Sequence, residues 1–272
     1  MNRTYGVVGD PIAQSLSPLI HNGWMRDHGV ASSYHGFQVA SGDLPSALET
    51  LAHRGVKGLN VTMPHKIEAL KLSADITPRA KAIGSANTLW RTGEGTWSAD
   101  NTDAPGFIAA LTPLFEEPIT GKRALILGAG GAARAVVYAL SENDVQVTLA
   151  NRTRQRADSL ATDFLDRDIN LIEFADALRT AANFDIVVNT TSIGFAGKHL
   201  ELPAGKGTCL YDISYGKAAK SVLVPAAAQG WKTADGLSML VYQAAFSFDR
   251  WFKIMPDVEK GLQRARNVLE MA

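Results

Sequence analysis

The sequence predicts an α/β chain of two domains: a mostly parallel α/β domain at the N-terminus, then a Rossmann-type dinucleotide-binding domain, with helices closing the chain. Three observations carry this expectation. Strand and helix signals alternate over the first hundred residues, and a more regular alternation begins at Gly121, opening on the glycine-rich "LILGAGGAARA" at 125–135. From Leu237 onward the chain is almost wholly helical in period. A length of 272 residues exceeds the usual size of one domain, which leaves a core for each.

Taken in order, "YGVVGD" reads as a strand, "LIHNGWMRDHG" as a helix, and "SYHGFQV" as a second strand. A helix follows from about Leu44 to His53, then the strand "GLNVT" and a helix from His65. "ANTLWRTGEGTWSADNT" at 86–102 differs, because two short strand-like pieces flank residues 93–96 in a hairpin signal, and a new helix starts near Asp103. In the second half "KRALILGAG", "VQVTLANR", "NLIEF", "FDIVVNTT" and "TCLYDIS" are strands separated by helices, as βαβ crossovers require. The resulting boundaries are 1–103, 104–236 and 237–272.

Composition removes several function classes. Lys+Arg and Asp+Glu are equal at 27 each, so no charge imbalance points to nucleic acid or to an anionic membrane. Cys209 is the only cysteine and cannot form an internal disulfide, and the first residues, "MNRTYGVVGD", lack a secretory signal, which makes the cytoplasm the expected compartment. No uninterrupted apolar run reaches the length of a membrane span, and six scattered histidines without HExxH or CxxC spacing imply no bound metal.

"GLNVTMPHK" at 58–66 places a lysine where an acid would be more stable. Leu59, Val61 and Met63 alternate as a half-buried strand does, Pro64 suits a helix opening, and Lys66 then falls in a first turn, beside unpaired N–H groups. A solvated lysine tolerating the helix dipole is one reading; a proton donor and acceptor set by position is the other.

The glycine loop carries the cofactor expectation. Gly128 permits the tight turn, Gly130 the close approach of a pyrophosphate, and Ala133 the contact of helix with strand, while Ala129, Gly131 and Ala132 complete the loop. An NAD site usually has an acid at the end of the second strand. Here Asn151, Arg152 and Thr153 stand there, with Arg154 and Arg156 beyond, so NADP with its 2′-phosphate is expected.

Together, "SLSPLIHN" (15–22), "NVTMPHK" (60–66), "GSANT" (84–88), "NTDAPGF" (101–107), "GAGGAARA" (128–135), "NRT" (151–153), "NTTSIGF" (189–195) and "DGLSMLVYQA" (235–244) resemble the motifs of the shikimate dehydrogenase family, in the family's order and over nearly the whole chain. The resemblance implies reversible NADP-dependent reduction of 3-dehydroshikimate to shikimate, in a cleft between a substrate domain and a nucleotide domain, by a monomer or homodimer. It further implies Lys66 and Asp103 as the catalytic pair and Ser15 and Ser17 at the substrate carboxylate. Asn60, Thr62, Asn87, Asp103, Tyr215 and Gln243 match the other substrate positions, and Gln243 can serve only if the tail returns to the first domain.

Thr190, Ser192, Ile213 and Gly236 match positions along the cofactor. Two of these motifs also admit a plain helix-cap reading: Ser-x-Ser before Pro18, and "NTD" before Pro105. The family pattern has a proline-containing loop and an acidic or threonine-rich helix start after the tyrosine. "GKAAKSVLVP" at 216–225 stands there instead, and Gly216 implies a more mobile segment. Alternatives are a quinate/shikimate or aminoshikimate dehydrogenase and a non-catalytic sensor of shikimate-like ligands. The intact Lys66 and Asp103 oppose the sensor, and Arg152 with Thr153 opposes NAD preference.

Overall fold

The computed structural model describes residues 3–92 and 96–271, which divide into two compact units: Met1–Gly106 with Leu240–Ala272, and Phe107–Met239. The turn of the expected hairpin, at 93–95, lies outside the described residues.

The first unit is built on a six-stranded sheet ordered β2-β1-β3-β5-β6-β4. Its strands are β1 (Arg3–Gly9), β2 (Ser32–Gln38), β3 (Val56–Val61), β4 (Asp75–Ile76), β5 (Thr88–Arg91) and β6 (Trp97–Asp100). Pairings β1–β2, β1–β3 and β4–β6 are parallel, whereas β3–β5 and β5–β6 are antiparallel. Helices α1 (Ser17–Asp27), α2 (Leu44–His53), α3 (Lys66–Lys71), α4 (Pro78–Ile83) and α5 (Asp103–Leu111) connect them. The sequence reading missed β4 and α4: a two-residue strand and a six-residue helix are too short to show a period.

The closing helices α10 (Leu237–Phe252) and α11 (Val258–Met271) supply part of this unit's core. Trp24 Nε1 donates to the Asp257 carbonyl at 2.8 Å and Trp251 Nε1 to the Leu89 carbonyl at 3.1 Å, while Tyr5 rests on Trp251 with ring centroids 5.1 Å apart. Asp100, buried at the end of β6, receives Arg79 at 2.8 Å and Arg250 at 2.9 Å, and so ties α4 and α10 to the strand. Burial pushes the Asp100 carboxyl up, but Arg79 and hydrogen bonds from Thr77, Arg79 and Arg250 outweigh it and hold the group below its ordinary value.

The second unit carries an all-parallel sheet ordered β12-β11-β10-β7-β8-β9, the doubly wound order in which the first strand lies at the centre. Its strands are β7 (Arg123–Leu127), β8 (Gln146–Ala150), β9 (Ile169–Leu171), β10 (Ile186–Asn189), β11 (Cys209–Asp212) and β12 (Lys232–Ala234). Its helices are α6 (Gly131–Ser141), α7 (Arg154–Asp163), α8 (Phe174–Thr180) and α9 (Gly216–Ala228). Leu125, Ile126, Leu127 and Ile186, Val187, Val188 are fully buried, the continuous apolar run of strands covered on both faces. The polar-ended "KTA" of β12 gave no strand signal in the sequence. The chain is helical from Gly216 itself, which has a φ of 63°.

Candidate active site

The first unit gathers the residues expected to do chemistry. β3 leads through a cis Met63–Pro64 peptide to His65, whose ring meets the Val39 carbonyl at 2.7 Å, and α3 opens at Lys66. The lysine therefore stands in a first turn as the sequence implied. Pro64, however, precedes the cap residue His65 and is not part of the helix.

Asp103 is the first residue of α5, and Lys66 Nζ reaches its Oδ2 at 2.6 Å, with the lysine side chain 16% and the aspartate 5% exposed. Shielding of this kind strengthens an ion pair relative to one in open water. The cap at this helix is Asn101, whose Oδ1 accepts the N–H groups of Asp103 at 3.1 Å and Ala104 at 3.3 Å. "NTD" thus serves both expected roles with different residues, leaving the Asp103 carboxylate to the lysine.

Asn87 organises the pair. Its Oδ1 accepts the Thr102 N–H at 2.7 Å, a backbone donor that fixes which way the amide faces. Its Nδ2 therefore donates to Asp103 Oδ1 at 2.8 Å and to Gln243 Oε1 at 3.0 Å. One amide thus holds the carboxylate oxygen that Lys66 does not use, together with a residue from the last quarter of the chain.

Behind it lies a buried cluster that sequence reasoning missed. Ser247 Oγ lies 2.8 Å from Thr88 Oγ1 and 3.1 Å from Thr102 Oγ1, accepts Asn60 Nδ2 at 2.8 Å, and donates to the Gln243 carbonyl at 3.0 Å. Asn60 Oδ1 in turn accepts the Tyr34 hydroxyl at 2.8 Å. The only hint available was that these hydroxyls sit inside otherwise apolar strands and helices, where an unpaired polar group is costly.

Ser17 is the first residue of α1, and Leu16 at the cap position makes no side-chain bond. Ser15 Oγ accepts the Ser17 N–H at 3.3 Å, so Ser15 covers the first N–H of the helix, in keeping with the helix-cap reading. Thr62 stands half-buried two residues along β3's direction from Asn60, and among the described residues its hydroxyl bonds no other side chain. His21 is fully buried, stacked on Tyr34 with ring centroids 4.3 Å apart, and among the described residues neither of its ring nitrogens makes a hydrogen bond. Burial pushes its pKa down to about 3, which keeps the imidazole neutral.

In the second unit the glycine loop joins β7 to α6. Gly128 adopts a φ of 113°, and a Cβ there would collide with Thr190 Oγ1. Gly130 is the cap residue of α6, and a Cβ on it would meet nothing within 4 Å, so the loop with Ala129, Gly131 and Ala132 is open on the Gly130 side at a helix start.

At the end of β8 no acid is present. Asn151 Nδ2 donates to the Thr153 carbonyl at 2.8 Å, and Arg154 is committed to Asp158 at 2.8 Å and Glu173 at 2.7 Å. Arg152, Thr153 and Arg156 are exposed, and among the described residues neither Arg152 nor Arg156 forms a salt bridge. This donor set fits a 2′-phosphate better than a ribose hydroxyl.

Thr190 spends its hydroxyl on the Leu127 carbonyl at 2.9 Å, while Ser192 precedes a 3-10 turn at Ile193–Ala196. Ile213 and Gly236 lie together, since a Cβ at Gly236 would strike the Ile213 carbonyl oxygen. Tyr215 belongs to this unit as the cap residue of α9. Among the described residues no group of His, Cys, Asp or Glu could hold a metal ion, and no helix is long and apolar enough to cross a membrane.

Three family models match the chain: the shikimate dehydrogenase substrate binding domain at residues 7–89, shikimate/quinate 5-dehydrogenase at 112–195, and the shikimate 5′-dehydrogenase C-terminal domain at 236–266. A shikimate dehydrogenase (NADP(+)) of Hyphomonas neptunium is 46% identical over 271 residues, 99% of each chain. One of Methylocella silvestris is 43% identical over 267 residues, 95% of this chain and 93% of that protein. Among solved structures, shikimate 5-dehydrogenase of Thermus thermophilus in complex with NADP(H) and shikimate has a TM-score of 0.84 at 34% identity, covering 97% of this chain and 99% of that one.

Proposed function

The chain belongs to the shikimate dehydrogenase family, and from that premise we propose that it reduces 3-dehydroshikimate to shikimate reversibly, with Lys66 and Asp103 as its catalytic pair. It is an NADP-dependent oxidoreductase acting on a CH–OH group, in the biosynthesis of chorismate and the aromatic amino acids. The observation that carries the mechanistic reading is the shielded Lys66–Asp103 contact of 2.6 Å, with Asn87 on the second carboxylate oxygen.

NADPH, when bound, supplies the hydride and its electron pair to the carbonyl carbon. The Lys66 ammonium gives its proton to the carbonyl oxygen as negative charge develops there, and in the reverse direction Lys66 takes the proton from the hydroxyl. Asp103 orients the ammonium and balances its charge, and Asn87 keeps Asp103 from rotating away. Thr62, with an uncommitted hydroxyl, and Ser15 and Ser17 fit the hydroxyl and carboxylate groups of the substrate. Asn60 and Asn87 are largely committed to protein partners and act mainly by holding others, with Gln243 completing that wall; Tyr215 is assigned to the substrate as well.

The span 1–103 with the returning helices of 237–272 is the substrate-binding and catalytic part, and 104–236 binds NADP. Gly128, Ala129, Gly130, Gly131 and Ala132 receive the pyrophosphate, and Asn151, Arg152, Thr153 and Arg156 the 2′-phosphate end. Thr190 and Ser192 line the cofactor, and Ile213 and Gly236 lie near the nicotinamide. Both reactants are small and water-soluble, which supports the expected cytoplasmic setting.

The test is the rate of nicotinamide reduction by purified protein with shikimate or quinate, each paired with NADP or NAD. Activity confined to shikimate with NADP is expected. Equal rates with quinate would widen the substrate, and no rate in any pairing would sink the reading.

A further inference from the structure

Asn189 and Asp212 end adjacent parallel strands, β10 and β11, as direct Cα partners, and both are fully buried. Asn189 Nδ2 donates to Asp212 Oδ2 at 2.7 Å. Asn189 Oδ1 accepts the Thr191 N–H at 3.1 Å and the Thr191 hydroxyl at 2.7 Å. Asp212 Oδ1 accepts the Ser214 N–H at 2.8 Å and the Ser214 hydroxyl at 2.5 Å.

The two backbone donors cannot be reversed, so the Asn189 amide has only one workable orientation, and Asp212 must offer an acceptor on both of its sides. Two further bonds extend the pair: Ile213 N–H reaches the Asn189 carbonyl at 3.1 Å, and Gly236 N–H the Ser214 carbonyl at 2.8 Å. The network therefore joins three loops at the carboxyl edge of the sheet, those holding Thr190 to Ser192, Ile213 and Gly236.

A buried carboxylate with no cation among its hydrogen-bond partners in the described residues is an expensive way to close a turn, and burial raises the Asp212 pKa while the Ser214 and Asn189 bonds oppose that rise. A neutral side chain would close the Ser214 turn alone. It could not also present an acceptor to Asn189.

We infer that Asn189 and Asp212 are positioning residues for the reaction, fixing the loop of Thr190 and Ser192, assigned to the cofactor, to those of Ile213 and Gly236, assigned to the nicotinamide; the inference rests on the cofactor reading proposed above. Full-length variants test it by exchanging the two groups. In Asp212→Asn the Ser214 N–H claims the new amide oxygen, leaving two NH2 groups facing each other. Turning Asn189 over would then set an NH2 against the Thr191 N–H. In Asn189→Asp two carboxyls oppose. The double exchange, Asn189→Asp with Asp212→Asn, restores every bond with the charge moved across the strand pair.

Each single variant should raise the NADP dissociation constant and lower kcat by about tenfold, with the shikimate KM changed less than about twofold, as for a small misplacement of a reacting group. The double exchange should recover most of both losses. Because nucleotide affinity is read by quenching of protein fluorescence, without turnover, an inactive wild type that still binds NADP would count against the reaction and not against the pair.

Wild-type affinity and kcat in folded single variants would overturn the inference, as would a folded double exchange no better than the worse single. Should the single variants not fold, Ser214→Ala removes one donor and leaves the pair. It should weaken NADP by about threefold, on the scale of one lost hydrogen bond, and wild-type affinity there would overturn the inference equally.

Discussion

The two units solve the same problem, placing polar groups at a site, by opposite means. In the first unit side chains hold side chains: Asn87, Asn60, Ser247, Thr88 and Thr102 form a buried mesh around the Lys66–Asp103 pair. In the second, backbone does most of the work. Gly128 at a φ of 113°, the start of α6 and the fit of Gly236 against Ile213 shape the proposed site, with Asn189 and Asp212 among the side chains that brace it from behind. A mesh is sensitive to the loss of any one of its members, whereas a backbone cradle is sensitive mainly to added bulk.

The sharpest challenge to this contrast is Lys66→Met. Turnover should fall by about two to four orders of magnitude while NADP affinity stays near that of the wild type, since the change touches one unit only. Loss of nucleotide affinity in that variant would show the contrast to be false.

Next in size is the choice among arginines. Arg152→Ala should raise the NADP KM by about tenfold to a hundredfold with little change for NAD, the scale of one charged hydrogen bond lost, whereas Arg154→Ala should leave the NADP-to-NAD ratio alone because its partners are Asp158 and Glu173. A ratio shifted equally by both changes would remove the distinction between paired and unpaired arginines.

The glycine loop was readable because turn, strand and helix are consecutive, and the lysine at a helix start because its oddity is local. Ser247 was not: its partner Asn60 lies 187 positions away, and a serine in "QAAFSFDRW" looks like any small residue on a buried helix face. Asn189 and Asp212 escaped for a related reason, since strand pairing, not sequence spacing, brings them together. The Arg154 commitment was equally invisible, because it depends on Glu173 arriving from beyond β9. β12 was missed because its three residues carry too little apolar signal to stand out.

The last expected effect concerns stability rather than turnover. The folded chain refuses a proton at His21 until pH falls to about 3, whereas the unfolded chain accepts one near 6.5. Stability should therefore drop as pH falls through that window, and His21→Phe, which keeps a ring against Tyr34, should flatten the slope, a difference on the order of a few kcal/mol at the acid end. Melting curves recorded from pH 8 to pH 4 for the two proteins would check it. If they run parallel, the buried imidazole has no such influence.

The division of the chain also sets an order of events during synthesis. Domains generally complete from the N-terminus as the ribosome proceeds. Here residues 107–239 can close their sheet while the unit begun first still lacks 240–272, and with them Gln243, Ser247, Arg250 and Trp251. Until that last stretch emerges, Asn60 has no Ser247 hydroxyl to meet and Asp100 lacks Arg250. The unit begun first is thus finished last, so a chain cut short near its end should lose the substrate site while keeping the nucleotide site.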